Sequence, residues 1–137
     1  MALIQLSYIS IAAYEMSDAD LDQIVASATR RNAENGITGM LLYADGRFMQ
    51  LLEGEDAVVE ATFARVSLDP RHHDVVVTER AAIEARSFSN WSMGFKRIAA
   101  TDMRTLTATP PPAAQTGGTT APRLADAILQ ELTRAAH

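Results

Sequence analysis

The chain has 137 residues, 47% of them apolar, enough for one domain with a real core. Seventeen acidic against twelve basic residues leave a net charge of −5, so there is no basic footprint for a nucleic-acid backbone or an anionic membrane surface. The absence of cysteine excludes disulfides, thiolate nucleophiles and Cys-ligated metal centres. The opening residues lack the basic and continuous apolar regions of a secretory signal, and no apolar run nears the roughly 18–20 residues of a bilayer span, so a cytoplasmic protein is expected.

Residues 3 to 10 alternate, placing Ile4, Leu6 and Tyr8 on one face of a strand and Leu3, Gln5 and Ser7 on the other. Taken alone, Tyr8 is a core tyrosine whose hydroxyl finds a partner at the rim. Ser17, followed by Asp18 and Asp20, marks a helix start that runs to Asn35 and stops at Gly36. Its apolar stripe is Leu21, Ile24, Val25 and Ala28, and the next member of that stripe is Asn32. An amide there either satisfies helix-end carbonyls or faces a polar ligand.

Gly36 to Gly54 reads as two strands joined at Asp45-Gly46, a pair suited to a two-residue hairpin turn. Alternation in the second strand puts Phe48, Gln50 and Leu52 on one face and Met49, Leu51 and Glu53 on the other. Gln50 thus stands in an apolar row, where an unpaired amide costs roughly 1–3 kcal/mol and so demands partners. Glu53-Gly54-Glu55-Asp56 predicts a turn and an acidic helix start. Val58, Val59, Thr62, Phe63 and Val66 then form a helical stripe as far as Leu68, ended by Pro70.

Asp69-Pro70-Arg71-His72-His73-Asp74 reads locally as a solvated turn that compensates the helix dipole. Adjacent histidines diverge too far to chelate, so no metal is expected. Residues 75 to 83 form a predicted strand, Arg86 to Asn90 a polar connection, and Trp91 to Phe95 a last strand with Trp91, Met93 and Phe95 on one face. A short helical turn is expected within 102–106. Thr109 to Pro122 has the composition of a linker, and Arg123 to Ala136 is an amphipathic helix that must cover the sheet's free face or a partner chain.

The order predicts an α+β fold, a ferredoxin-like mixed β-sheet with two helices on one face (βαββαββ), over residues 1–98. A C-terminal helical extension follows over 99–137, with the linker at 108–122. Tyr8, Asn32, Gln50 and Met93 then converge between helices and sheet around a slot shaped for a flat ligand.

These residues resemble the BLUF domains, blue-light sensors that use flavin. The resemblance covers residues 3 to 97 and rests on Tyr8, Asn32 before Gly36-Ile-Thr-Gly39, Phe48-x-Gln50-x-Leu-Glu-Gly54, Asp69-Pro-Arg-His72 and Arg86-x-Phe88-x-x-Trp91-Ser-Met93. It implies a noncovalent flavin, FAD with FMN as the alternative, whose dimethylbenzene edge faces inward and whose phosphates face solvent. Asn32, Arg71 and His72 would bond its pyrimidine side, Asp69 would position that turn, and Ile24, Arg31 and Arg65 would complete the contacts. Gln50 would lie between Tyr8 and the ring.

In such a site Tyr8 would supply an electron and then a proton through Gln50, leaving Gln50 rearranged, which suits a side chain holding both a donor and an acceptor. Met93 and Trp91 would compete for the place beside Gln50 and pass the change on. Without cysteine no adduct can form, so hydrogen-bond rearrangement is the chemistry left. Nothing after the tail resembles a cyclase or phosphodiesterase, so the expectation is a stand-alone sensor, not an enzyme, acting on a separate effector or through a homo-oligomer. Two alternatives stand beside this reading. One is an acylphosphatase-like hydrolase gripping phosphate with Arg30, Arg31 and Asn32, although those residues lie in a helix rather than in a loop of free N–H groups. The other is an interaction module in which Tyr8 and Gln50 are core hydrogen bonders.

Overall fold

Asp45 and Gly46 both take positive φ, 49° and 78°, and close a two-residue turn between β2 (Thr38–Ala44) and β3 (Arg47–Glu55), as the Asp-Gly pair predicts. The computed structural model describes residues 2–89 and 91–107; the expected linker and the helix at 123–136 lie outside the described residues. The remaining elements are β1 (Leu3–Ala12), α1 (Asp18–Asn35), α2 (Asp56–Ser67), β4 (His72–Ile83), β5 (Gly94–Arg97) and α3 (Ala100–Thr107). The sheet order is β4-β1-β3-β2-β5, antiparallel except for β2 beside β5. This is the α+β, ferredoxin-like arrangement that the order of predicted elements requires.

Helix α1 forms where its ends are written. Ser17 Oγ accepts from the Asp20 N–H while Asp20 reaches back to the Ser17 N–H, and Gly36 closes the other end in the left-handed region at φ 69°. Its stripe of Leu21, Ile24, Val25 and Ala28 packs on one sheet face, beside Val58, Val59, Phe63 and Val66 of α2. That layer buries Ile4, Leu6, Tyr8, Leu41, Phe48 and Leu52. On the opposite face Met40, Leu42, Met49 and Leu51 lie under Phe88 and under Met103 of α3. Strands β2 and β3 approach so closely that a Cβ on Gly39 would stand 1.9 Å from the Leu51 carbonyl oxygen.

Three local expectations are corrected. Glu53 to Asp56 makes no turn: pairing of Leu3 with Glu55 and Ile4 with Gly54 carries β3 straight into α2, and the Asp56 N–H donates to the Ala2 carbonyl. Strand β4 starts at His72, three residues early, because His72 and His73 pair with Ala12 and Ile11. Trp91 and Met93 do not lie on the last strand. Pairing with β2 begins at Met40 opposite Gly94; Met93 still shares the helix-covered face with Phe95, as expected, but Trp91 leaves it and stacks on Phe88 instead.

Candidate functional site

The β1–β3 register sets Tyr8 directly opposite Gln50, on the face that α1 and α2 cover. Both are buried, 2% and 5% exposed. The Tyr8 hydroxyl donates to Gln50 Oε1, and Gln50 Nε2 donates to Met93 Sδ, a thioether and a weak acceptor, at 3.5 Å. Gln50 therefore has a strong partner on one side and a weak one on the other. The Tyr8 ring packs against Phe63 and His72 with centroids 5.5 and 6.0 Å away. Burial pushes the Tyr8 hydroxyl well above the usual tyrosine range, and the negative charge of Asp69 adds to this. Tyr8 is thus a neutral phenol that keeps its proton to donate.

Asn32, 3% exposed, does not serve helix-end carbonyls: its Nδ2 donates to the Ser92 carbonyl at 2.9 Å, tying α1 to the segment that carries Met93. At the far end of α2, Asp69 Oδ1 accepts from the Arg71 N–H at 2.9 Å and from Arg71 Nε at 3.0 Å, while Oδ2 takes Nη2 at 2.5 Å. The Arg71 side-chain hydrogen bond holds the Asp69 carboxyl below the usual carboxylate range. His72 Nε2 donates to the Val66 carbonyl at 2.8 Å, so in the neutral ring Nδ1 accepts from Ser10 Oγ at 2.7 Å. Local composition suggests a solvated turn here; long-range partners make it an ordered wall.

Between these elements lies a cleft of about 640 Å³, its open mouth included. Of the residues singled out in the sequence, Tyr8, Ile24, Arg31, Asn32, Gln50, Asp69, Arg71 and His72 line it. Arg65, Trp91 and Met93 do not. Met93 touches Gln50 from outside the cleft and stands beside it in place of Trp91. Trp91 is 42% exposed and stacks on Phe88 at 5.8 Å. Ser27 also lines the cleft; its helical spacing from Ile24 and Arg31 was the available signal. Ser10 and the Ser92 carbonyl had no such signal, because their partners are 62 and 60 residues away.

The cleft suits a flavin. Ala28, Leu41, Leu52 and Val66 give apolar walls for a flat ring, and the amides of Asn32 and Gln50 with the guanidiniums of Arg31 and Arg71 supply groups for its polar atoms. Among the described residues no helix is long and apolar enough to cross a membrane.

Fold and site together define a ferredoxin-like domain that binds a flat heteroaromatic ligand beside a tyrosine–glutamine pair. Residues 3–94 match the family described as BLUF, sensors of blue-light using FAD, and the chain belongs to that family of flavin-binding photosensor domains. The photoactivated adenylate cyclase subunit beta of Euglena longa is 44% identical over 92 residues, 66% of this chain but 11% of that protein. The chain thus spans about a tenth of the length of the curated relatives it matches. Among solved structures, BlrB, a BLUF protein in its dark state, superposes with a TM-score of 0.70 at 30% identity, over 98% of this chain and 96% of that one. BlsA in its photo-activated state gives 0.69 at 34% identity, over 77% and 76%.

Proposed function

We propose that this chain senses blue light through FAD held in the cleft and reports it by reorienting Gln50. The observation that carries this reading is the hydrogen-bonded chain Tyr8–Gln50–Met93 at the cleft wall. Flavin, when bound, supplies absorption of blue light and an acceptor for an electron. Tyr8, neutral and buried, is the donor of the electron and of the proton that follows it through Gln50. The amide has two faces, and only one suits each neighbour. With Oε1 toward Tyr8 and Nε2 toward Met93, both contacts are hydrogen bonds. Reversed, Nε2 can still donate to the Tyr8 oxygen, but Oε1 then meets a thioether that has no proton to give. The Met93 contact is therefore lost whenever Gln50 turns.

Asn32, Arg31, Arg71, His72 and Ile24 hold the ring and its phosphates in this reading, and Asp69 fixes Arg71. Arg65 lies outside the cleft lining, and any contact it makes is with parts of the flavin beyond the ring. Residues 1–98 are the sensing domain, and 99–137 carry the response to a separate effector or to another copy of the chain, in the cytoplasm. The family description, which names FAD, favours FAD over FMN.

The test is the purified full chain, offered FAD and FMN in turn. A yellow protein with a light-induced, dark-reversible red shift is expected, with FAD retained more firmly. A folded, colourless protein that takes up neither flavin overturns the reading. Deleting 108–137 should leave the photocycle intact and abolish light-dependent assembly or partner binding; an unaltered output defeats the assigned route.

A further inference from the structure

On the face of β3 opposite Gln50, a carboxylate stands where the alternation places apolar side chains. Glu53 is 0% exposed, and its two oxygens accept four hydrogen bonds. Oε1 takes Thr38 Oγ1 and the Phe88 N–H, each at 3.0 Å; Oε2 takes Gln5 Nε2 at 3.1 Å and the Ser87 N–H at 2.7 Å. Arg86 Nη1 reinforces the cluster, donating to Thr38 Oγ1 at 3.0 Å and to the Glu53 carbonyl at 3.1 Å. Gln5 serves the carboxylate at its own expense, since its Oε1 is buried without a hydrogen-bond partner.

Stability alone does not call for this arrangement. A buried charge is costly to desolvate, and well-packed apolar residues often serve a core equally well. What a carboxylate adds is a directional grip on two consecutive amides of an otherwise irregular segment.

The other end of that segment is held from the opposite face of the sheet. Trp91 offers its carbonyl to the Gly39 N–H at 3.0 Å, Ser92 offers its carbonyl to Asn32, and Met93 receives Gln50 Nε2. Between the two anchors, the Trp91 N–H donates to the Phe88 carbonyl at 3.0 Å and their rings stack. Phe88 and Trp91–Met93 are thus the two ends of a short tether, the first fixed by Glu53 and the second by the switch. Glu53 and Gln50, one at each end, both belong to β3, and Asn32 of α1 holds Ser92 beside the second.

We infer that Glu53 is a positioning residue for the light response: it holds the Arg86–Phe88 end of the tether still, so that loss of the Gln50–Met93 contact displaces Trp91 instead of dissipating upstream. This rests on the flavin-sensor reading above. Glu53→Gln preserves size but replaces one acceptor oxygen by a donor, so one of the two backbone amides loses its partner.

The experiment uses the full chain loaded with FAD and reads two signals in darkness and in light. One is the flavin red shift, which reports Gln50. The other is acrylamide quenching of Trp91, the single tryptophan of the chain. The expected result is a wild-type red shift with a light-dependent change in quenching. Glu53→Gln keeps the red shift, loses most of the Trp91 change and returns to the dark state severalfold faster. If Glu53→Gln fails to fold or to take up flavin, Thr38→Val, which removes one donor to Glu53 and one of the two Arg86 hydrogen bonds, is read in the same way.

A folded variant with the red shift and the full Trp91 response overturns the inference. So does loss of the red shift itself, which assigns the effect of Glu53 to Gln50 directly. A wild-type protein that binds flavin but shows no red shift overturns the sensor mechanism, and this inference with it.

Discussion

Replacing Tyr8 by phenylalanine removes a single oxygen from the site and leaves its shape intact. The ring contacts to Phe63 and His72 survive, and with them the apolar burial of a side chain only 2% exposed. What disappears is the O–H that Gln50 Oε1 accepts, leaving an amide oxygen on a residue 5% exposed without its donor. An orphaned buried acceptor costs about 1–3 kcal/mol. Gln50 lines the cleft and can turn toward whatever fills it, so the lower end, about 1 kcal/mol, applies. For a domain of this size that lowers Tm by about 4–8 °C. Circular-dichroism melts at matched flavin loading measure it, because a ligand bound only by the native state raises Tm by itself. Absorption before and after blue light measures the switch. Tyr8→Phe should fold, bind flavin with a near-normal dark spectrum and show no lasting red shift. A stable red shift at wild-type yield refutes Tyr8 as the donor.

Gln50→Leu should likewise fold, bind flavin and lose the red-shifted state, since it removes the amide between the Tyr8 hydroxyl and Met93 Sδ; a retained shift in the difference spectrum removes Gln50 from the mechanism. Gly39→Ala drives a Cβ to 1.9 Å from a backbone oxygen that has no rotamer with which to yield, so its cost lies at the top of the roughly 1–3 kcal/mol seen for overpacking. Denaturant midpoints report this, and an unchanged midpoint refutes the close approach. The pH dependence has two limbs. Because the folded pKa of Tyr8 is raised, its contribution to stability is complete below the ordinary tyrosine value of about 10 and is lost as pH rises above it. Because that of Asp69 is lowered, its contribution is present above the ordinary carboxylate value of about 4 and is lost as pH falls below it. Melts across pH should be limited at both ends by these groups, and Tyr8→Phe should weaken the alkaline limb alone; an alkaline limb unaltered in Tyr8→Phe refutes that half of the assignment.

What the sequence reveals here is whatever local chemistry decides. The ends of α1 lie in Ser17, Asp20 and Gly36, and the hairpin lies in Asp45-Gly46, so both elements stand where the residues place them. Period-two alternation likewise brings Tyr8 and Gln50 to one face, and helical spacing turns Asn32 inward. The segment from Arg86 to Met93 has no such period. The placement of Ser87–Phe88 and of Trp91–Met93 is dictated by Glu53, Gly39, Asn32 and Gln50, groups 34 to 60 residues away in the chain for Ser87 and Ser92. The outward seat of Trp91 is therefore not written locally, although alternation with Phe95 does turn Met93 inward. The straight passage of β3 into α2 is hidden for a related reason: Gly54 between two glutamates resembles a turn until β1 supplies hydrogen bonds that keep it extended. Glu53 falls on an apolar face by simple alternation, but its identity as a buried anchor depends on donors from β1, β2 and the β4–β5 connection.

The two-residue turn at Asp45-Gly46 fixes more than chain reversal. A strand shows opposite sides at successive residues, so a slip of one position would turn Met49 toward the ligand and send Gln50 to lie beneath Phe88. The protein would retain a hairpin and an apolar core, and it would be blind. Two backbone angles at the tip of that hairpin thus choose which side of the sheet can respond to light, which makes an unremarkable surface turn as much a component of the receptor as the tyrosine it never touches.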